Sequence, residues 1–435
     1  MEQHFLMKKD GTTTFQLPDA WRVLKKVELK SESVKKSLEE MLIDAIESPI
    51  GCGPLAQLIK PTYKIAVIID DHTRPTPQKE FLTFLLDYLE RCGVSRNQVD
   101  VVIAGGTHRL MTEEEIESTF GQRLSKEVRF RTHDCRSSEL VPVGTLQSGS
   151  EVKISPFVTR ADFRIGVGSI MPHPMCGFGG GAKVVFPGVA NYEAIRDHHC
   201  AFMIAKGSTL GNIKGNLFHK EICRAGRLAK LDFLINAVYN SDEKVKAVVA
   251  GDFEKAQATG AEMSLNELGV KFDELADVTI ASAFPYTAGT QLSKPLIPAT
   301  MVTREGGTVI LYAASVHGIS EPFLEAFDFA FAKAKDDRRG CVLDSLRNGK
   351  LIIQDAPLDF IGALYMTMLY QSRVKAILVS KDVEPKQAAR LGFSHVSDLD
   401  TAIEMVSREI PNATVNILPV GGLVVPIVKE PISFW

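Results

Sequence analysis

Residues 63–77 read YKIAVIIDDHTRPTP. Tyr63 to Asp70 is a short apolar run rich in branched residues, the signature of a buried strand, and DHTRPTP then makes a loop stiffened by Pro75 and Pro77. Glu80 to Cys92 follows a helical pattern, and Gly93 closes it, because glycine takes the left-handed conformation that ends a helix without strain. The unit repeats. Val99 to Ala104 reads as a strand that enters GGTHR, and Thr112 with Glu115 forms a capping box for the next helix. A third strand, Phe163 to Gly168, ends in the loop MPHPMCGFGGGAK. Strands alternating with helices argue for parallel α/β sheets, whose ligands collect at the C-terminal ends of the strands. Asp71, Arg74 and His108 are thereby placed on one rim.

Further along, Asn191 to Ala205 reads as a helix carrying His198 and His199, and Phe253 to Leu268 as an amphipathic helix. A second α/β domain starts near Val270, with strands expected at Val278–Ala283, Thr308–Ala313, Lys350–Ile353 and Lys375–Ser380. The last expected strand, Thr414–Pro419, reads as returning to the first domain. The fold class is therefore α/β, two domains with largely parallel sheets and an active site in the cleft between them. Residues 1–268, completed by 412–435, form the first domain and 269–411 the second.

The chain has 435 residues, and its 50 basic and 53 acidic side chains leave a net charge of -3. That balance gives no electrostatic footprint for nucleic acid or an anionic membrane, so any bound anion needs a local site. The N-terminus MEQHFLMKKDGTTTF lacks a signal-peptide apolar stretch, and no apolar run approaches the roughly 18 residues of a membrane span. A cytoplasmic protein is expected. The 7 cysteines are odd in number and form no C-x-x-C, which supports neither a disulfide framework nor a structural zinc site.

The run from Ile165 to Ala182 contains no Asp, Glu, Lys or Arg, and it ends at Lys183 after Gly177, Gly179, Gly180 and Gly181. A lysine held against glycine backbone without a nearby carboxylate is a candidate for desolvation, which favours the neutral amine and makes it a covalent attachment point. The alternative is a phosphate- or nucleotide-binding loop, Gly177 to Lys183, with the lysine as counter-charge and no redox chemistry. A Walker loop fails, because Ala182 separates glycine from lysine and Val184 stands where magnesium needs a hydroxyl. His108, His173, His198, His199 and His219 lie in the same domain, and His173, Lys183 and His199 are expected to face one cavity. The absence of H-E-x-x-H spacing speaks against the other alternative, a metallohydrolase. Asp71 and Arg74 make either a capped turn with its paired arginine or a bidentate fork for a carboxylate or phosphate. Gln291 and Lys294, in TQLSKP, are candidates to reach the same ligand from the second domain.

Taken in order, Asp71–Pro77, GGTHR with His108, PH…GFGGGAK with His173 and Lys183, His199, and Q-x-x-K as Gln291 and Lys294 resemble the nickel-dependent lactate racemase family. The resemblance implies racemisation or epimerisation of an α-hydroxy acid by reversible hydride transfer. It implies nickel in a pincer nucleotide derived from nicotinic acid, attached covalently to Lys183 through a thioamide, with His199 as the nickel ligand. Asp71, Gly179, Gly180 and Gly181 would border that cofactor, and Asp71 would orient either it or a histidine. His108 and His173 would be the acid/base pair on opposite faces of the substrate. Arg74, Gln291 and Lys294 would hold its carboxylate and hydroxyl. The implied partners are a small anionic hydroxy acid and the enzymes that synthesise the pincer cofactor. Thr290 stands where the lactate enzymes have an aromatic residue, and the two tryptophans, Trp21 and Trp435, lie at the chain ends, so a substrate larger than lactate is compatible with the sequence.

Overall fold

A computed structural model describes residues 2–29 and 33–434. The chain divides into two compact units, one of residues 31–267 and one of residues 1–30 with 268–435.

In the unit of residues 31–267, a six-stranded sheet runs in the order Val245–Gly251, Phe233–Tyr239, Phe163–Ile170, Ile65–Asp70, Val99–Ala104, Arg129–Thr132. Every pairing is parallel except that of Val245–Gly251. The strand Ile65–Asp70 is buried along nearly its whole length, as the continuous apolar run of a strand covered on both faces requires. Helix Gln78–Arg91 covers it with Phe81, Leu82, Leu85, Leu86 and Leu89, a stripe at helical spacing that packs with Ile65, Val67 and Ile69 in one core. Gly93 ends the segment at φ +87°, and Thr112 and Glu115 close the capping box. Strand Val99–Ala104 and helix Phe253–Leu268 have the bounds their patterns predict.

The other unit holds a second six-stranded sheet, in the order Ser394–Val396, Lys375–Val379, Thr303–Tyr312, Ala276–Ser282, Thr414–Leu418, Arg22–Lys26, with all pairings parallel. Three expectations are corrected here. The segment 412–435 does not complete the first domain: Thr414–Leu418 lies beside Ala276–Ser282, and Asp277 fastens it by accepting from the Thr414 backbone N–H at 2.8 Å and its hydroxyl at 2.7 Å. Residues 1–29 belong with it too, because Arg22–Lys26 pairs with Thr414–Leu418 while Leu6, Phe15 and Trp21 enter the same core. Trp21 is thus a core residue of this unit, its indole N–H donating to the Ile410 carbonyl at 3.0 Å. Lys350–Ile353 is not a strand. The Ile352 backbone N–H donates to the Tyr365 hydroxyl at 2.7 Å instead of to a neighbouring strand, and the apolar doublet Leu351 and Ile352 is buried.

Among the described residues no helix is long and apolar enough to cross a membrane, and all seven cysteines are free thiols.

Candidate active site

Two neighbouring strands of the first sheet diverge in their connections. The chain leaves Ile65–Asp70 for Val99–Ala104 on one side, whereas Phe163–Ile170 is followed in the sheet by Phe233–Tyr239 on the other. Such a switch point opens a crevice at the C-terminal strand ends. Asp71 and Arg74 follow the first of these strands, His173 and Lys183 follow the second, and His108 follows Val99–Ala104. Topology therefore brings five of the expected site residues to one edge.

Asp71 is buried, and its Oδ2 lies 2.6 Å from His108 Nδ1, while Oδ1 accepts from the Thr73 amide at 3.1 Å and hydroxyl at 2.5 Å. Burial pushes this carboxyl up, but the His108 hydrogen bond and charge, the Thr73 hydroxyl and Arg74 together outweigh it and hold the carboxyl at about 2. An ionised carboxylate only accepts, so His108 donates from Nδ1, and whenever the ring is neutral the lone pair is on Nε2. The His108 loop is itself pinned, with Gly106 N–H donating to Gly188 O at 2.9 Å. His173 has the opposite arrangement. It sits in a small hairpin, Pro172–His173 against Gly177–Phe178, and its Nδ1 accepts from the amides of Met175 and Cys176 at 3.3 Å each. An accepting Nδ1 puts the proton of the neutral ring on Nε2.

Lys183 lies in the 3-10 turn Gly181–Val184. Burial lowers its pKa, with Arg74 adding repulsion, against the opposing influence of Cys176 and Asp70. The Cys176 thiol is fully buried, donates to Phe178 O at 2.9 Å and lies beside the Lys183 amine. Among the described residues Lys183 forms no ion pair with a carboxylate. The glycines before it turn their backbone inward. Gly181 N–H donates to Asn236 Oδ1 at 2.8 Å, Gly179 N–H to Met171 O at 2.7 Å and Lys183 N–H to Gly180 O at 3.2 Å. Gln257 Nε2 donates to Gly179 O at 2.9 Å. Gly180 and Gly181 have positive φ, and a Cβ on them would come within 2.4 Å of Asn236 Oδ1 and 2.2 Å of Gln257 Oε1 respectively. These amides are thus consumed by the protein, which removes most of the donors that a phosphate cradle needs.

On helix Tyr192–Phe202 the two histidines separate cleanly. His198 is fully buried among Phe186, Phe202 and Phe218, with Nε2 on Phe218 O at 3.0 Å. His199 is only partly buried. Its Nδ1 donates to Ile195 O at 2.7 Å, which leaves the Nε2 lone pair for a ligand. Burial, with the charge of Lys183, holds His199 at about 4, and His219 is held at about 4 for the same two reasons. A neutral imidazole with a fixed tautomer is the form that binds a metal. Among the described residues no group of three or more His, Cys, Asp or Glu is arranged to hold one, so any metal here would need ligands from elsewhere.

Arg74 is exposed at the rim, and Gln291 and Lys294 belong to the other unit, at the C-terminal side of strand Ala276–Ser282. Sequence reasoning passed over Asp70, Asn236, Gln257 and Tyr286. Asp70 reaches across Gly168, where a Cβ would lie 2.8 Å from its Oδ2, and accepts from the Thr76 hydroxyl at 2.8 Å. Burial raises its pKa to about 6, against Arg74 and Thr76. The available signal for Asn236 was one polar residue inside the buried strand FLINAVY. Tyr286 carries the Lys294 ammonium over its ring, 4.9 Å from the centroid.

The family described as the lactate racemase N-terminal domain matches residues 9–211. A lactate racemase from Thermoanaerobacterium thermosaccharolyticum is 30% identical over 426 residues, 96% of each chain. A lactate racemase from Lactiplantibacillus plantarum is 30% identical over 398 residues, 90% of this chain and 92% of that protein. The solved structure of the lactate racemase apoprotein from Thermoanaerobacterium thermosaccharolyticum is similar with a TM-score of 0.86 at 27% identity, covering 99% of this chain and all of that one. A protein from Thermotoga maritima shares the fold at a TM-score of 0.62 and 20% identity, over 90% of this chain and 97% of that one.

Proposed function

The chain belongs to the lactate racemase family, and from that premise we propose that it is an isomerase that inverts the carbinol carbon of an α-hydroxy acid, lactate or a larger relative. The reading includes a nickel pincer nucleotide, made by dedicated synthesis enzymes, attached to Lys183 and ligated by His199. The observation that carries it is the pairing, on one strand-end rim, of an amine depressed by burial, with no carboxylate ion pair among the described residues, and a dyad of the buried Asp71 with the partly buried His108.

The residues present suit such a group. Lys183 offers a nucleophilic amine, because a lysine with lowered pKa spends more time neutral. His199 offers a single Nε2 lone pair, enough where the remaining metal ligands belong to the organic group itself. When bound, the group supplies a reversible acceptor for the hydrogen of the carbinol carbon and its electron pair. Removing a proton from that carbon is hard, since the C–H is very weakly acidic, whereas the hydroxyl proton moves readily to an imidazole. With Nδ1 committed to Asp71, the neutral form of His108 presents its lone pair on Nε2, and that nitrogen accepts the hydroxyl proton of one enantiomer. His173 presents Nε2–H and gives that proton to the oxygen when it lies on the other side, so the proton that His108 removes at one face is replaced at the opposite face. Arg74 supplies a bidentate fork for the carboxylate, with Gln291 and Lys294 assigned to the carboxylate and hydroxyl.

The phosphate-loop reading is disfavoured by the inward glycine amides, and a hydrolytic metal centre needs at least three protein ligands of the kind not found together among the described residues. The test is chiral chromatography of single-enantiomer α-hydroxy acids and their uncharged amides after incubation with protein co-expressed with pincer-synthesis enzymes. The acids should racemise and the amides should not. Inactivity on every acid of a broad panel overturns the reading.

A further inference from the structure

Helix Leu217–Leu228 packs on the 3-10 turn that carries Lys183. Gly226 makes the approach possible, because a Cβ there would come 2.7 Å from the Cβ of Ala182. His219, Cys223 and Gly226 stand at i, i+4 and i+7, so the helix face that meets Ala182 also carries this histidine. The residue before it, Phe218, sets its ring edge-on to His199 with the centroids 5.0 Å apart. His219 thus sits on a helix that touches both the lysine turn and His199, and the charge of Lys183 reaches its ring.

The two ring nitrogens of His219 have different surroundings. Nε2 lies 3.4 Å from Cys223 Sγ. Burial pushes that thiol up to about 12, so it keeps its proton at neutral pH and donates it to Nε2. The neutral ring then carries its own proton on Nδ1. Among the described residues Nδ1 is buried and has no hydrogen-bond partner. A buried donor without an acceptor destabilises the fold, and it is matched only by an acceptor that the chain does not itself provide. His198 Nδ1 is unpaired as well, but that ring is fully enclosed by phenylalanines, whereas His219 is only partly buried.

We propose that His219 is a further binding residue for the pincer nucleotide attached to Lys183: its Nδ1–H donates a hydrogen bond to an acceptor atom of that group. The inference rests on the reading of Lys183 as the attachment point. A ring nitrogen that carries a proton does not ligate nickel, so this role is separate from that of His199. Its contribution exists only in the loaded protein and therefore adds to the rise in melting temperature that loading brings.

The experiment measures that rise for wild type, His219→Leu, His219→Asn and His219→Gln, each expressed with and without the pincer-synthesis enzymes and compared at equal adduct occupancy by intact mass. His219→Leu should shrink the rise by about 3 °C. The lost Cys223 contact counts equally in both states and cancels in the difference. His219→Asn, whose amide places an N–H where Nδ1 stands, should keep the rise within about 1 °C of wild type. His219→Gln places its amide at the Nε2 position instead and should lose the rise as leucine does, which keeps the proposal falsifiable if the leucine variant folds poorly. If no protein carries an adduct at Lys183, the cofactor reading falls and the inference with it. If the adduct forms but the rise is absent, or is the same in wild type and in the leucine and glutamine variants, the inference alone fails. An asparagine variant that loses the rise as fully as glutamine would overturn the donor role of Nδ1.

Discussion

Asp71 does two things at once, and each has a measurable consequence. Its carboxylate fixes the His108 tautomer through the 2.6 Å contact with Nδ1. Asp71→Asn presents an amide able to donate, so Nδ1 becomes the acceptor and Nε2 carries the proton, the wrong form for a base. Turnover should fall about a hundredfold or more while the fold and cofactor loading persist, as read by kcat, thermal melting and intact mass. Its neighbour Asp70 has the opposite electrostatics, raised to about 6 by burial. A folded-state value above the unfolded value of about 3.9 means that its stability contribution is present below about pH 4 and is lost as the pH rises through about 6. Asp70→Asn cannot ionise. Thermal melts should therefore show the wild type losing stability relative to the variant between pH 4 and 7, and parallel curves would contradict this. Asp71, Arg74, His108, His173 and Lys183 were legible as polar residues at strand ends or in a charge-free glycine loop, and His199 as one of a histidine pair on the helix that follows. Their protonation states were not, because tautomers are set by partners such as the Met175 and Cys176 amides or the Ile195 carbonyl, which only the folded chain brings into place.

The helix Tyr192–Phe202 shows what an element contributes beyond its residues. Adjacent side chains on a helix point about 100° apart, so one histidine of the pair must turn into the core when the other faces out. His198 packs among three phenylalanines, and His199 stays partly open. His198→Ala should thus cost roughly 3 kcal/mol of stability through the cavity it leaves, with nickel content of the folded protein preserved. His199→Ala should fold normally and lose nickel. Reversed results, read by melting temperature and elemental analysis, would exchange the two roles. The glycine loop was legible as a special segment but ambiguous in purpose. What speaks against a phosphate cradle is the inward bonding to Asn236 and Gln257, side chains 236 - 181 = 55 and 257 - 179 = 78 positions away in the chain. No local pattern contains them.

Across the whole molecule, local alternation of strand and helix identified the α/β class, three of the six strands of the first sheet and four of the six of the second, but Arg129–Thr132, Phe233–Tyr239 and Val245–Gly251 went unread and the closing of the second sheet depended on pairings between distant segments. Arg22–Lys26 is a charged edge strand with no strong alternation, and its partner Thr414–Leu418 lies at the other end of the chain. Trp21 is the anchor of that arrangement. Trp21→Ala should destabilise the unit of residues 1–30 and 268–435 by roughly 3–5 kcal/mol. Hydrogen exchange should quicken in Thr414–Leu418 and stay unchanged in Ile65–Asp70, and equal acceleration in both would contradict the division of the chain. The chemistry proposed for the molecule depends in the end on one amine. Peptide mapping by mass spectrometry of enzyme that actively racemises a hydroxy acid should find the Lys183 peptide carrying a covalent adduct, and Lys183→Arg should be unmodified and inactive. An unmodified Lys183 peptide in fully active protein would contradict the account.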